Sequence, residues 1–115
     1  MSFKVFCTAP IGRFLSDLNI PNNIELKVNE YATGKELLSG LKWCNRHISN
    51  ARVTLDNDLL DRSVNVSMIY QPSIGNDNIA FDDLNVNVKV SGLWEEVEFR
   101  HSRLTTAELT LTLIL

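Results

Sequence analysis

The stretch from Thr33 to Ile48 constrains the fold more than any other part of the chain. Its apolar residues recur at spacings of three and four, the period of an amphipathic α-helix. They fall on one stripe, with Leu38 at its edge: Leu37, Leu41, Cys44 and Ile48. Thr33 and Glu36 have the spacing of a capping box, which predicts the start of a helix. A helix over 33–48 with one apolar stripe must bury that stripe against a second layer.

Most of the remaining sequence alternates apolar and polar residues, the pattern of half-buried strands. Strands are predicted at 3–7, 24–28, 52–55, 63–70, 85–90, 93–100 and 107–115. Ser91-Gly92 is a connection suited to a tight hairpin, and 71–84 is predicted to be a long exposed loop. The predicted fold class is α+β, with one amphipathic helix packed on a mostly antiparallel (mixed) sheet. Residues 1–115 are predicted to form a single domain.

One segment resembles a known family. It consists of Ile24-Glu25-Leu26-Lys27-Val28 followed by Ala32-Thr33-Gly34-Lys35-Glu36-Leu37-Leu38. It is similar to the second strand and first helix of ubiquitin-like β-grasp domains, above all the ubiquitin-like lobe of FERM domains. The resemblance covers 24–48. It implies a β-grasp-like fold, with protein binding as its usual use.

The sequence carries no motif of a catalytic or metal site. No GxSxG, CxxC or HxxxH pattern occurs, and neither His47 nor His101 has a candidate nucleophile close by in sequence. The acidic run that begins at Asp56 lacks the glycine and glutamate that an EF-hand loop needs. The sequence therefore predicts a protein that is not an enzyme, with no catalytic residues, metal or cofactor. Cys7 and Cys44 are predicted to be buried and reduced.

Two tryptophans are the candidate binding residues. On a helical wheel Trp43 lies opposite the apolar stripe, beside three cations: Lys35, Lys42 and Arg46. Strand alternation places Trp94 on the outer face of its predicted strand. Because tryptophan is enriched in binding hot spots, these five residues are the predicted partner-binding site.

The predicted function is that of a non-enzymatic protein-interaction module. A small accessory, inhibitor or scaffold protein of phage, viral or bacterial type fits the same pattern. The alternative is nucleic-acid binding through the basic, Trp-bearing helix face, which the net charge of −3 disfavours. The expected partner is another protein, with self-association into a homo-oligomer left open. No membrane segment or secretion signal is recognised, so a cytoplasmic location is expected.

Overall fold

The computed structural model describes residues 2–11, 14–15, 17–84 and 87–95. Within them, five strands and two α-helices follow one another in chain order. They are β1 (Phe3–Cys7), β2 (Ile24–Val28), α1 (Gly34–Trp43), β3 (Arg46–Ile48), α2 (Asn57–Arg62), β4 (Met68–Gln71) and β5 (Lys89–Gly92). Two 3-10 turns, Phe81–Asp83 and Leu93–Glu95, lie on either side of β5 in the sequence. No helix in these ranges is long and apolar enough to cross a membrane.

The strands form one sheet in the order β2-β1-β3-β4-β5, and every pairing is parallel. Val5 of β1, for example, pairs with Leu26 on one side and Arg46 on the other. This is a Rossmann-like, doubly wound α/β architecture with the strand order of flavodoxin-like folds. The predicted α+β class, with a mostly antiparallel, β-grasp-like sheet, is therefore wrong. Alternation marks a strand without giving its direction, so alternation by itself could not separate the two.

Helix α1 is shorter than predicted. It ends at Trp43, and Arg46–Ile48 of the predicted helix forms the central strand β3. Leu37 and Leu41 are buried, which confirms the first half of the apolar stripe. The capping box is wrong, because Thr33 makes no side-chain cap bond and the Glu36 carboxylate accepts a hydrogen bond from Asn29 (3.1 Å).

Apolar side chains cover both faces of the sheet. On the α1 face the buried cluster comprises Phe6, Ala32, Leu37, Leu41, Cys44, Val53, Leu55, Val66, Ile69 and Ile79. On the opposite face it comprises Val5, Cys7, Ala9, Leu15, Ile24, Ile48 and Tyr70. Both cysteines are free and buried, as predicted. Burial on two faces is what a parallel sheet with crossover connections requires.

Several predicted strands are also corrected. Only Leu55, in an isolated bridge with Ile79, is paired in 52–55, and only 68–70 of 63–70 is a strand. Helix α2 was not predicted. Its N-cap is Asp56, whose Oδ1 accepts from the Leu59 N–H at 2.9 Å. Ser91-Gly92 lies inside β5 and forms no hairpin. Of 93–100 the first three residues form a 3-10 turn; 96–100 and 107–115 lie outside the described residues.

Candidate functional site

The loops after β1 and β3 diverge at the carboxyl edge of the sheet. The chain leaves β1 towards β2 on one side, whereas it leaves β3 towards β4 on the other. In doubly wound sheets such a switch point is where ligands bind. Polar residues that are almost completely buried begin both loops: Thr8, Ser49 and Asn50, which are 1%, 1% and 5% exposed. Buried polar groups need partners, so their bonds define the local structure.

Asn50 ties the loop after β3 to the loop after β1. Its Nδ2 donates to the carbonyl and the hydroxyl of Thr8, both at 3.1 Å. Its Oδ1 accepts from the Arg52 N–H at 3.0 Å. The Thr8 carbonyl also accepts from the Tyr31 N–H at 2.9 Å. Hydrogen bonds to the Thr8 carbonyl oxygen thus connect the three loops that follow β1, β2 and β3.

A second set of bonds adds the loop after β4. Gln71 and Asn78 form a reciprocal amide pair, with N···O distances of 3.0 and 2.9 Å. Ser49 donates to Gln71 Oε1 at 2.9 Å, and Gln71 Nε2 donates to the Gly75 carbonyl at 2.9 Å. Asn78 Nδ2 reaches back to the Asn50 carbonyl at 3.1 Å. Together with the bonds of Asn50 to Thr8, these contacts form one polar network beneath the loops.

The network determines where nearby backbone N–H groups point. The carbonyls of Thr8, Asn50 and Gly75 all accept bonds from it. No peptide bond in the described residues is cis, and in a trans peptide the N–H points away from the carbonyl. The N–H groups of the following residues therefore point away from the network: Ala9, Ala51 and Asn76. In the described ranges none of the three has a hydrogen-bond acceptor. Ala9 is completely buried, so only Ala51 and Asn76 lie at the surface. Free N–H groups of this kind bind carboxylate and phosphate oxygens.

Arg52 adds a positive charge at the same edge. Its guanidinium carbon lies 5.3 Å from the centroid of the Tyr31 ring. Tyr31 has a φ of 58°, the left-handed conformation that costs energy for a bulky side chain and often marks a functional position. The network itself contains only amides and hydroxyls, so it offers no group that titrates near neutral pH. The edge thus presents backbone N–H donors and one exposed cation, a chemistry that suits an anion.

The predicted site residues lie elsewhere. Trp43 is half-buried at the end of α1, with Lys27 Nζ at 4.2 Å and Lys4 Nζ at 5.9 Å from its ring centroid. Arg46 lies at the start of β3, where its guanidinium carbon is 4.3 Å from the centroid of the Phe3 ring. Lys4 lies in β1 and Lys27 in β2, so the Trp43 ring already has cationic partners within the chain.

Trp94 lies at the other edge of the sheet, after β5. It is half-buried and packs edge-on against Phe81, with centroids 6.5 Å apart. Lys35 and Lys42 are exposed on α1. The structure therefore brings Lys35 and Trp43 to one cavity, whereas Arg46 lies over Phe3 on the opposite face of the sheet and Trp94 lies apart. Partner binding by these residues stays a prediction.

Two cavities lie away from the carboxyl edge. One of about 560 Å³ opens between α1, α2 and the residues before β4 and β5, with Asp61 and Asp82 among its lining residues. The other, of about 540 Å³, lies between α1 and β2, with Phe6 and Trp43 in its lining. Neither is lined by residues of the polar network at the carboxyl ends of the strands. No group of His, Cys, Asp and Glu in the described ranges is placed to hold a metal ion.

No protein-family model and no curated protein matches the sequence. Solved structures do match the fold. The apo-structure of D-lactate dehydrogenase from Escherichia coli is 17% identical, with a TM-score of 0.62 over 80% of this chain and 30% of that chain. D-2-hydroxyisocaproate dehydrogenase is 10% identical, with a TM-score of 0.57 over 77% and 28%. The D-isomer specific 2-hydroxyacid dehydrogenase from Lactobacillus delbrueckii ssp. bulgaricus, complexed with NAD, is 18% identical, with a TM-score of 0.59 over 78% and 29%.

These neighbours correct the predicted function class. The shared fold is a parallel α/β sheet. The ubiquitin-like resemblance is therefore wrong, and it carries no β-grasp function to this chain. All three neighbours are dehydrogenases, a finding that contradicts the prediction of a non-enzymatic interaction or accessory module. The chain spans less than a third of the length of each neighbour. At these identities the likeness establishes the fold alone.

The residues of this chain do not fit a bound dinucleotide. A dinucleotide-binding turn follows the first strand as GxGxxG, in which the first glycine makes the tight turn and the second admits the pyrophosphate. Here those positions hold Cys7 and Ala9, and only the third holds a glycine, Gly12. Both side chains are completely buried and fill the space that the glycines would leave open. The strand order also differs from the 3-2-1-4-5-6 order of dinucleotide-binding domains.

Proposed function

We propose that this chain is the substrate-side domain of a 2-hydroxy acid dehydrogenase, and that it binds a small 2-hydroxy or 2-oxo carboxylate at its carboxyl edge. The three fold neighbours act, by name, on D-lactate, D-2-hydroxyisocaproate and D-2-hydroxy acids. The carboxyl edge offers the matching chemistry for the carboxylate that such substrates share.

The observation that carries the proposal is the pair of free N–H groups at Ala51 and Asn76, together with the exposed Arg52 that follows Ala51. A hydrogen bond to a charged group contributes about 1.5–3 kcal/mol. The network beneath the loops fixes the N–H directions before a ligand arrives, so little ordering remains to oppose binding. A carboxylate has two oxygens and about four acceptor sites, enough for donors from two or three loops.

Hydride transfer is not assigned to this chain. Since its first turn does not fit a dinucleotide, the cofactor would be held by another domain or another chain. That second component is the partner implied by the proposal. Cys7 and Cys44 are free and buried, which suits a reducing compartment, so a cytoplasmic location is part of the same proposal.

Isothermal titration calorimetry tests the proposal on the chain as it stands. Pyruvate, D-lactate and 2-oxoisocaproate should bind with millimolar or tighter Kd, and NAD should not bind. Gln71→Ala removes one of the two hydrogen bonds that the Gly75 carbonyl accepts, the other coming from the Ser73 hydroxyl at 2.7 Å, and takes away the amide partner of Asn78. It should weaken binding of the acids by about tenfold. Asn65→Ala is the matched control, since its side chain bonds the Lys42 carbonyl on an exposed surface before β4. Binding of NAD without binding of any acid would contradict the proposal.

A further inference from the structure

Strand β2 is an edge strand of the sheet. It pairs with β1 on one side, and no described residue pairs with its other side. An unpaired edge presents a row of backbone N–H and C=O groups that another strand can join. Leu26 and Val28 are only half-buried in this strand, and Glu25 and Lys27 are exposed. The outer side of β2 is therefore accessible to a further strand.

The hydrogen bonds to β1 determine which backbone groups of β2 point outward. The Phe3 N–H donates to the Asn23 carbonyl at 2.7 Å. In a parallel ladder the groups of every second residue point to the same neighbour, so those of Glu25 and Lys27 also point to β1. The N–H and C=O groups of Leu26 therefore point to the open side of the strand.

The sequence of β2 is complementary to itself when two copies run antiparallel. In the register centred on Leu26, this residue faces its own copy. Glu25 then faces Lys27 of the partner subunit. On the other face of the sheet, Ile24 faces Val28 of the partner subunit. Opposite charges and apolar pairs at directly opposite positions stabilise an antiparallel pair of strands.

The same register satisfies the outward backbone groups. Leu26 exchanges both N–H···O bonds with Leu26 of the partner subunit, the pattern of a hydrogen-bonded antiparallel pair. The Val28 N–H donates to the carbonyl of Ile24 of the partner subunit. The Ile24 N–H needs no partner across the interface, because it already donates to the Pro21 carbonyl at 3.1 Å. Two-fold symmetry repeats each contact from the other subunit.

The charges of β2 are not paired within the described residues. Lys27 Nζ lies 4.2 Å from the centroid of the Trp43 ring, and Glu25 is two residues earlier on the same face. The salt bridge found in the described ranges joins Arg62 to Asp58 in α2. A lysine on an edge strand opposes pairing with most other strands. Opposite a carboxylate it favours one register over the alternatives.

Strand β5, at the other edge, lacks this complementarity. Its one charged residue is Lys89, and its sequence holds no acidic residue to face Lys89 in a second copy. The chain after residue 95 also lies outside the described residues, so the open side of β5 is not established. Strand β2 is therefore the edge that fits a second copy of this chain.

We propose that two copies of this chain associate edge to edge through β2, in the antiparallel register centred on Leu26. The two sheets join into one continuous sheet, and the two-fold axis passes beside Leu26. Glu25 and Lys27 select the register and thereby the partner. The inference goes beyond the proposed function and does not depend on the ligand of the carboxyl edge.

Sedimentation equilibrium of the full chain over a range of concentrations tests the interface. The native chain should reach twice the mass of one chain, and salt should weaken the dimer because it screens exposed charges. Glu25→Lys and Lys27→Glu should each raise the dissociation constant of the dimer by about tenfold or more, since opposite charges become like charges. An equal mixture of these two variants should form dimers again. Lys89→Glu, the control at the other edge, should leave the native dimer intact.

Hydrogen exchange identifies what pairs with β2. Protection of the Leu26 amide should increase with protein concentration, because this amide is bonded only in the dimer. Protection that is independent of concentration would overturn the proposal, since another part of the same chain would then cover β2. A monomeric native chain would overturn it too, as would a dimer that persists in both charge variants or a mixture of them that stays monomeric. Both substituted positions are exposed, and urea unfolding establishes that the variants are folded.

Discussion

His47 should make the stability of the fold depend on pH. The side chain lies in β3, is completely buried and stacks on Phe6 with centroids 5.7 Å apart. Its Nδ1 is 2.9 Å from the Phe6 carbonyl, and its Nε2 is buried with no hydrogen-bond partner in the described residues. Burial lowers the pKa of His47 from 6.5 to about 4, although the bond to the Phe6 carbonyl opposes this shift.

The size of the effect follows from that pKa. Between pH 6.5 and about 4 the unfolded chain binds a proton at His47 and the folded chain does not. The stability due to neutral His47 is therefore fully present above pH 6.5 and is lost as the pH falls towards 4. A difference of this size corresponds to a loss of about 3 kcal/mol, at 1.36 kcal/mol per pKa unit. That is a large part of the 5–15 kcal/mol typical of a domain.

Urea unfolding at several pH values measures this contribution. The native chain should lose about 3 kcal/mol between pH 7 and pH 4 beyond what a His47→Leu variant loses over the same range. His101→Gln is the control, since it removes the other histidine and should keep the slope. Equal slopes for the native chain and His47→Leu would refute the reasoning, as would loss of the slope in His101→Gln.

Three further predictions concern the core. Leu41→Ala should cost about 2–5 kcal/mol in urea unfolding, because it empties a site that is 2% exposed, and a cost below about 0.5 kcal/mol would contradict that packing. Gly40→Ala should lower the free energy of unfolding by about 1–3 kcal/mol, because the added Cβ would lie 2.3 Å from the buried Phe6 ring, and this outweighs the better helix propensity of alanine. A stabilised variant would show that the Phe6 ring can move aside. Burial raises the pKa of both Cys7 and Cys44 to about 12, so a thiol reagent at pH 8 should label them slowly in the native chain and rapidly in urea; rapid native labelling would contradict this.

The sequence predicted the helix and the first two strands well because their signals are local. A β-branched and aromatic run placed a strand at 3–7 and alternation placed one at 24–28, and the structure has the same bounds. The spacing of three and four also identified Leu37 and Leu41 as the buried leucines of α1. At Arg46–Ile48 the signal failed, since three residues after a helix can satisfy either period and the pairing with β1 decided in favour of a strand.

The main error was to predict antiparallel strands, although the lengths of the connections indicated parallel ones. A parallel strand needs a crossover of a dozen or more residues, and the connection from Cys7 to Ile24 is that long. The strands predicted at 52–55 and 63–70 fall largely within the crossover from β3 to β4, so that crossover was not recognised. Ser91-Gly92 is a residue pair common in hairpin turns, but in the structure both residues belong to β5 and pair with β4.

The carboxyl-edge site could not be predicted without that direction. Thr8, Asn50 and Gln71 lie at the ends of three separate strands, and only a parallel sheet brings those ends to one edge. Each is an ordinary polar residue in sequence. The predicted site centred on the tryptophans instead. A helical wheel shows on which side of a helix Trp43 lies, but it does not show which side chains from other elements contact it, such as Lys27, which lies over its ring.

The central claim is that a carboxylate binds to backbone N–H groups at the carboxyl edge. Amide chemical shifts measured by ¹H–¹⁵N NMR during titration with pyruvate test it most directly. The account predicts that the largest shifts occur at Ala51 and Asn76, with a single common Kd, and that NAD leaves these amides unchanged. Shifts confined to α1 and Trp43, or no shift at the two amides with pyruvate at tens of millimolar, would contradict it.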